Sequence, residues 1–310
     1  MTLPQTVSLC DALEVAAINL QRPLSLTDLS RLFFPGLDWD KPADLGDASP
    51  DAKLRDALGL ALARRAACGA AYPFDVSDRS IKAADIAAFD PYVFLLLGRT
   101  LNFGGPEETN SLLRGFREHF EDVVCWAMQQ AGFVAEVLSE PRAKRGLPVQ
   151  LEPALRELVN RFDEAAVLLQ DKLVADDNDL DVDVLAVPVK GNGKRGGWPV
   201  MLIQCSTGAI KMLQSKVDEG AKTFGTVWDN GFFPGSLMRG GATPYELLGL
   251  AQVQWNRLSE AGWILDRTRI VHLASVGGEI ALPPDVSKFW SRLWAARHDI
   301  DWRTGWQEAE

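Results

Sequence analysis

Asp181-Val-Asp-Val-Leu-Ala-Val187 and Val200-Met-Leu-Ile-Gln-Cys-Ser-Thr-Gly208 each read as a strand that is apolar on both faces. That is the pattern of a covered, central strand. Between them, Lys190-Gly-Asn-Gly-Lys-Arg-Gly-Gly197 is turn chemistry. Opposed residues of an antiparallel hairpin have a constant sum of numbers. A turn centred near residues 193 and 194 therefore sets Asp183 opposite Gln204. An acid and an amide meet there on two strands with almost nothing else polar to offer. A buried carboxylate costs several kcal/mol unless something pairs with it, and a divalent metal is the simplest partner.

Upstream of this hairpin, residues 116–131 form an amphipathic pattern that stops at Gly132, in the position of a glycine C-cap. Residues 133–138 read as a short strand and 152–173 as a helix, after which an acidic stretch, 175–180, leads into the hairpin. Downstream, Gly208 ends the second strand and 209–219 turn helical. A later strand is predicted over 269–275, and an amphipathic helix over 287–296 with Phe289, Trp290 and Leu293 as core candidates. Residues 1–112 read as helical, with helices at 11–21, 25–34, 51–67 and 91–101. Nothing in them carries obvious chemistry, so a structural or partner-binding role is expected there. The predicted organisation is a helical N-terminal domain, 1–112, and an α/β domain with a mixed sheet, 113–310.

The composition is that of an ordinary globular chain: 310 residues, 47% hydrophobic, 24% charged. No apolar run approaches the roughly 18 residues of a membrane span, and the first ten residues lack the basic and long apolar segments of a secretory signal. Cys10, Cys68, Cys125 and Cys205 are widely spaced without a CxxC, which fits reduced thiols in a cytoplasm. A net charge of −10 argues against coating nucleic acid through the overall field, though not against a local grip. Basic residues do gather near the hairpin: Arg142, Lys144 and Arg145 before it, Lys190, Lys194 and Arg195 in its turn, Lys211, Lys216 and Lys222 after it. Their concentration around one acidic pair points to a phosphate-facing surface.

Phe120-Glu121 on a helix, Asp181-Val-Asp183-Val-Leu-Ala on a strand and Leu202-Ile-Gln204-Cys-Ser-Thr-Gly208 on the next resemble the PD-(D/E)XK nuclease superfamily. The Mrr-like branch, in which glutamine replaces the second acid, is the most similar. Asp266-Arg-Thr-Arg269 also resembles a feature of a set of bacterial phage-defence proteins, and the resemblance spans roughly residues 113–275. It implies a restriction-endonuclease-like mixed sheet flanked by helices, and a Mg²⁺- or Mn²⁺-dependent endonuclease acting on DNA. It further implies an effector of an anti-phage system, working beside another defence protein and apart from membranes. The implied metal ligands are Asp183, Glu121 and the Gln204 carbonyl, hard oxygens that suit Mg²⁺ rather than zinc.

One departure matters. The superfamily's lysine should stand two residues after the glutamine, and Ser206 is there. The resemblance implies that the lysine has moved into the following helix, as Lys211 or Lys216. Lys211 is nearer the strand end and is preferred on that ground. If neither reaches the site, the chain is a catalytically silent subunit that binds DNA or regulates a partner. Glu118, one helical turn from Glu121, and Asp181, on the face of Asp183, are alternative acids. His119, His272 and His298 have no metal-ligand spacing, with His272 read as a core residue. Cys205 falls on the opposite strand face from Gln204 and reads as a small packing group. The tryptophans Trp290, Trp294, Trp302 and Trp306, about a helical turn apart, read as core rather than as a base-stacking surface.

Overall fold

A computed structural model describes residues 5–35, 49–101, 107–162, 180–188, 199–208, 211–228, 237–248, 250, 252–260, 262–277 and 280–302. Its first elements are α1 (Gln5–Leu20), β1 (Leu24–Ser25), α2 (Leu26–Phe33), α3 (Pro50–Cys68), β2 (Phe74–Val76), β3 (Ser80–Ala83) and α4 (Pro91–Thr100). Next come α5 (Glu107–Gln130), β4 (Val134–Val137), α6 (Leu151–Arg161), β5 (Val184–Val187) and β6 (Val200–Cys205). The last are α7 (Lys211–Thr226), β7 (Leu237–Ala242), α8 (Gln252–Glu260), β8 (Trp263–Leu265), α9 (Arg267–Ser275) and α10 (Pro284–Ala295). The chain divides by contact into two units. One gathers Thr2–Phe116, Tyr245–Ala251 and Lys288–Glu310, the other Arg117–Pro244 and Gln252–Ser287.

In the first unit the helix starts are set by local chemistry. Ser25 and Asp28 make a reciprocal capping box on α2, and Asp90 caps α4 ahead of Pro91. The unit is not wholly helical, as its sequence implied. A three-stranded antiparallel sheet in the order β1-β3-β2 sits among the helices. Strands of two to four residues are too short for a two-residue period to show in the sequence. The closing segment from Lys288 also belongs to this unit, not to the second domain. Trp290 packs edge-on to Phe89, Phe289 to Phe94, and Trp302 tilts against Phe33. Trp290 and Trp302 are thus core residues, as the spacing predicts, while Trp294 is half-buried, stacked on Trp290, and Trp306 lies outside the described residues.

The second unit is built on a mixed five-stranded sheet in the order β4-β5-β6-β7-β8. The first two pairings are antiparallel and the last two parallel. Leu185 and Val187 of β5, with Val200 and Leu202 of β6, point to one face, where α6 supplies Leu151, Leu155 and Leu158 and α7 supplies Phe224. The strands are apolar on both faces because Val184, Ala186, Met201 and Ile203, of opposite parity, are buried as well.

Residues 269–275, read as a strand, are part of helix α9. Asp266 caps it by accepting a hydrogen bond from the Arg269 amide at 3.0 Å. Ile270 and Val271 are buried while Arg269 and His272 are exposed, a helical pattern within a β-branched run. His272 is consequently a surface residue, and the strand here is the shorter β8 just before it.

Candidate active site

The hairpin register is that of the sequence arithmetic. Val184 faces Ile203, Leu185 faces Leu202 and Ala186 faces Met201. Asp183 extends the ladder by one residue: its amide donates to the Ile203 carbonyl at 3.2 Å, and its carbonyl accepts from the Leu138 amide at 2.8 Å. It therefore stands opposite Gln204, and the Gln204 Nε2 donates to Asp183 Oδ2 at 2.7 Å. The Cys205 amide donates to the same oxygen at 2.6 Å. Asp183 is only 6% exposed, so a carboxylate and an amide close off the apolar rows of β5 and β6 from within the fold.

Gln204 Nε2 serves Asp183, but Gln204 Oε1 is buried without a hydrogen-bond partner among the described residues. Leaving such an acceptor unsatisfied costs about 1–3 kcal/mol. The backbone holding this corner is itself unusual. Leu180 and Asp181 are both left-handed, at φ of 56° and 55°, and α7 approaches so closely that a Cβ on Gly220 would come within 2.1 Å of the Asp181 carbonyl oxygen. Only glycine fits there. Asp181 sits in this exposed turn ahead of the strand, not in the row with Asp183.

α5 brings Glu121 to the same place. The Ser139 hydroxyl donates to Glu121 Oε2, and Arg145 Nη2 lies 3.6 Å from that oxygen. The Glu121 carboxyl is pushed up from the ordinary range to about 8, first by burial and then by the Asp183 charge. Glu118, the alternative acid, is exposed on α5. Beside Glu121 a cleft of about 330 Å³ is walled by Arg117 and Phe120 of α5, residues Cys205–Gly208, and Lys216 of α7. Among the described residues, Lys216 is the lysine of α7 that lines this cleft. Lys211 opens α7, and its side chain lies outside the described residues, as do Lys190, Lys194 and Arg195 of the hairpin turn. Burial drives the Cys205 thiol well above its ordinary value, which keeps it protonated and a poor nucleophile.

Two of the basic residues expected to face phosphate do something else. Arg142 is buried, paired with Glu140 at 2.6 Å and donating to the Val149 carbonyl at 3.0 Å. Arg145 is turned inward onto Asp122 at 2.8 Å. Both are consumed in holding the loop after β4, where an exposed phosphate contact needs a free guanidinium. Ser139, Asp122 and Arg117 complete the surroundings of Glu121 with Arg145, and these three were not singled out as site residues from the sequence. The helical spacing of Arg117 and Glu121 is the one signal that could have linked any of them to the site.

The donor set that a metal would find is Glu121, Asp183 and the orphaned Gln204 Oε1. Among the described residues no group of three or more His, Cys, Asp and Glu side chains is placed to hold a metal. Two carboxylates and an amide oxygen still fit Mg²⁺, which keeps several waters and commonly takes one or two carboxylates together with substrate oxygens. The raised Glu121 carboxyl also fits, since a cation between Glu121 and Asp183 would favour the charged form of both. No protein-family model matches the chain, and no curated protein or solved structure matches it significantly. Among the described residues no helix is long and apolar enough to cross a membrane.

Proposed function

We propose that the second unit is a metal-dependent endonuclease acting on DNA phosphodiester bonds. The observation that carries the reading is the convergence of Asp183, Gln204 and Glu121 on one strand end, beside a cleft that Lys216 also lines. Bound Mg²⁺ or Mn²⁺ supplies polarisation of a phosphate and a water of lowered pKa. Asp183 and Glu121, with Gln204 Oε1, would hold the ion. Lys216 replaces the cation that Ser206 cannot provide, orienting the attacking water and offsetting charge at the phosphate. Arg117, exposed on the cleft wall, grips the strand. A role as effector in phage defence rests on the resemblance of the motifs alone.

The test is cleavage of plasmid and single-stranded DNA by the purified full chain with Mg²⁺ or Mn²⁺, stopped by EDTA. Asp183→Asn and Lys216→Ala should each lower the rate by about 10²-fold or more, the scale of a positioned catalytic group. A second reading, a silent subunit that binds DNA without cutting it, draws on Ser206 at the lysine position. DNA binding with no cleavage under either metal would select it, and full activity in Asp183→Asn would end the nuclease reading.

A further inference from the structure

Arg145 reaches three groups with three different nitrogens. Its Nε donates to Asp122 Oδ1 at 2.8 Å, and its Nη1 donates to the Ser139 carbonyl at 2.8 Å and lies 3.2 Å from the Ser139 hydroxyl. Its Nη2 stands 3.6 Å from Glu121 Oε2. The Arg145 side chain is 14% exposed, so these contacts are largely shielded from competing water. The far oxygen of Asp122 is itself engaged, 3.3 Å from His119 Nδ1. The fork therefore ties the loop after β4 to two successive residues of α5, and one of those residues is Glu121.

Geometry at Glu121 gives this tie a direction. The Ser139 hydroxyl and Arg145 Nη2 both meet the same oxygen, Oε2. A carboxylate fixed through one oxygen presents the other, and the side chain loses the rotamer freedom that repulsion from Asp183 would otherwise exploit. Lysine cannot do this, because an ammonium is a point charge without the planar fork that spans three acceptors. We infer that Arg145, together with Ser139, is a positioning residue that locks Glu121 beside Asp183 with Oε1 presented to a divalent cation. The inference rests on the metal-dependent reading above and adds a residue that never touches the ion or the DNA.

The experiment follows Mn²⁺ binding to the full chain by electron paramagnetic resonance, without DNA, beside steady-state cleavage at saturating Mn²⁺. Arg145→Gln should weaken Mn²⁺ binding by about 10- to 100-fold, the usual loss when a group supporting a metal ligand is removed. The KM for DNA should stay within about twofold, since no phosphate contact is lost. Arg145→Lys should fail to restore binding, and Ser139→Ala, which deletes only the hydroxyl on Glu121, should weaken it in the same direction. Ser139→Ala also serves if Arg145→Gln does not fold. Wild-type protein that binds no Mn²⁺ would overturn the metal-dependent reading itself. Wild-type protein that binds Mn²⁺, with the Arg145→Gln and Ser139→Ala affinities unchanged or with Arg145→Lys fully rescued, would overturn the positioning role alone.

Discussion

Two regions of this chain each bring together a pair of acids, fully buried in one and only partly in the other, and they treat them in different ways. In the helical unit Asp11 and Glu14 lie inside α1, and Arg64 Nη1 reaches them at 2.7 and 2.9 Å. Arg99 meets the second Asp11 oxygen at 2.6 Å, and the Tyr72 and Tyr92 hydroxyls donate to Glu14 at 2.6 and 2.9 Å. Two acids face two guanidiniums, all within 2% of complete burial, and the charge is closed. At the sheet unit's strand end Asp183 accepts from Gln204 Nε2 and the Cys205 amide, and Glu121 meets a guanidinium at 3.6 Å that is already tied to Asp122. Guanidiniums compensate the first cluster, whereas amide donors and one shared guanidinium serve the second, where the proposed nuclease would hold its cation.

The comparison breaks most visibly at Arg64. Arg64→Met keeps the length of the side chain but removes the guanidinium that bridges Asp11 and Glu14. Removing one partner of a buried pair costs about 3–5 kcal/mol. Urea unfolding should show a loss of that size, and a loss below about 1 kcal/mol would mean that the cluster is not closed by charge. Asp183→Asn should behave differently. The Asn Oδ1 can still accept from Gln204 Nε2 and the Cys205 amide, while a charge repelling Glu121 disappears. Stability without metal should therefore stay within about 1 kcal/mol of wild type. Adding Mn²⁺ at a hundred times its Kd should stabilise wild type by about 2.7 kcal/mol and Asp183→Asn hardly at all. The same increment in Arg64→Met as in wild type would show that the two clusters are independent.

How much of this was legible follows from the kind of order each part has. The Asp183–Gln204 pairing was readable because a hairpin register is arithmetic and a strand alternates with a period of two. Glu121 could be named only through a resemblance of motifs, since nothing in α5 distinguishes it from Glu118 until burial does. The Ser139–Arg145 clamp was invisible: it depends on a loop folding back onto α5, and a cluster of arginines in sequence looks the same whether it faces phosphate or carboxylate. Leu180 gave no sign of its left-handed backbone, because leucine does not favour it, and Asp181, of a type that does, was read as the entrance of a strand. The α9 error has a similar root. Four residues from Ile270 to Leu273 satisfy a strand or a helix equally, and the deciding signal, Asp266 capping a helix through the Arg269 amide, is local and was passed over in favour of the β-branched run.

Asp90 sharpens the comparison by isolating burial from both partners and site. It caps α4, accepting from the Val93 amide at 2.9 Å, and burial raises its carboxyl to about 6 from an ordinary 3.8 in spite of the amides of Val93 and Tyr92 that favour the charged form. The folded chain therefore binds this proton more tightly than the unfolded chain does. Between pH 3.8 and about 6 the native state holds more protons at this position than the unfolded state, so the contribution of Asp90 to stability is complete at low pH and is lost as pH rises through 6. The expected effect is of the order of 1–3 kcal/mol from a shift worth about 1.4 kcal/mol per pH unit. Asp90→Asn keeps an oxygen for the Val93 amide and has no charge to desolvate. Its stability relative to wild type should rise between pH 4 and 7 by that amount, with no change in Mn²⁺ binding. A variant whose stability tracks wild type across the range would show that the amides at the helix start outweigh burial, and that a buried carboxylate in this fold needs no cation to stay charged.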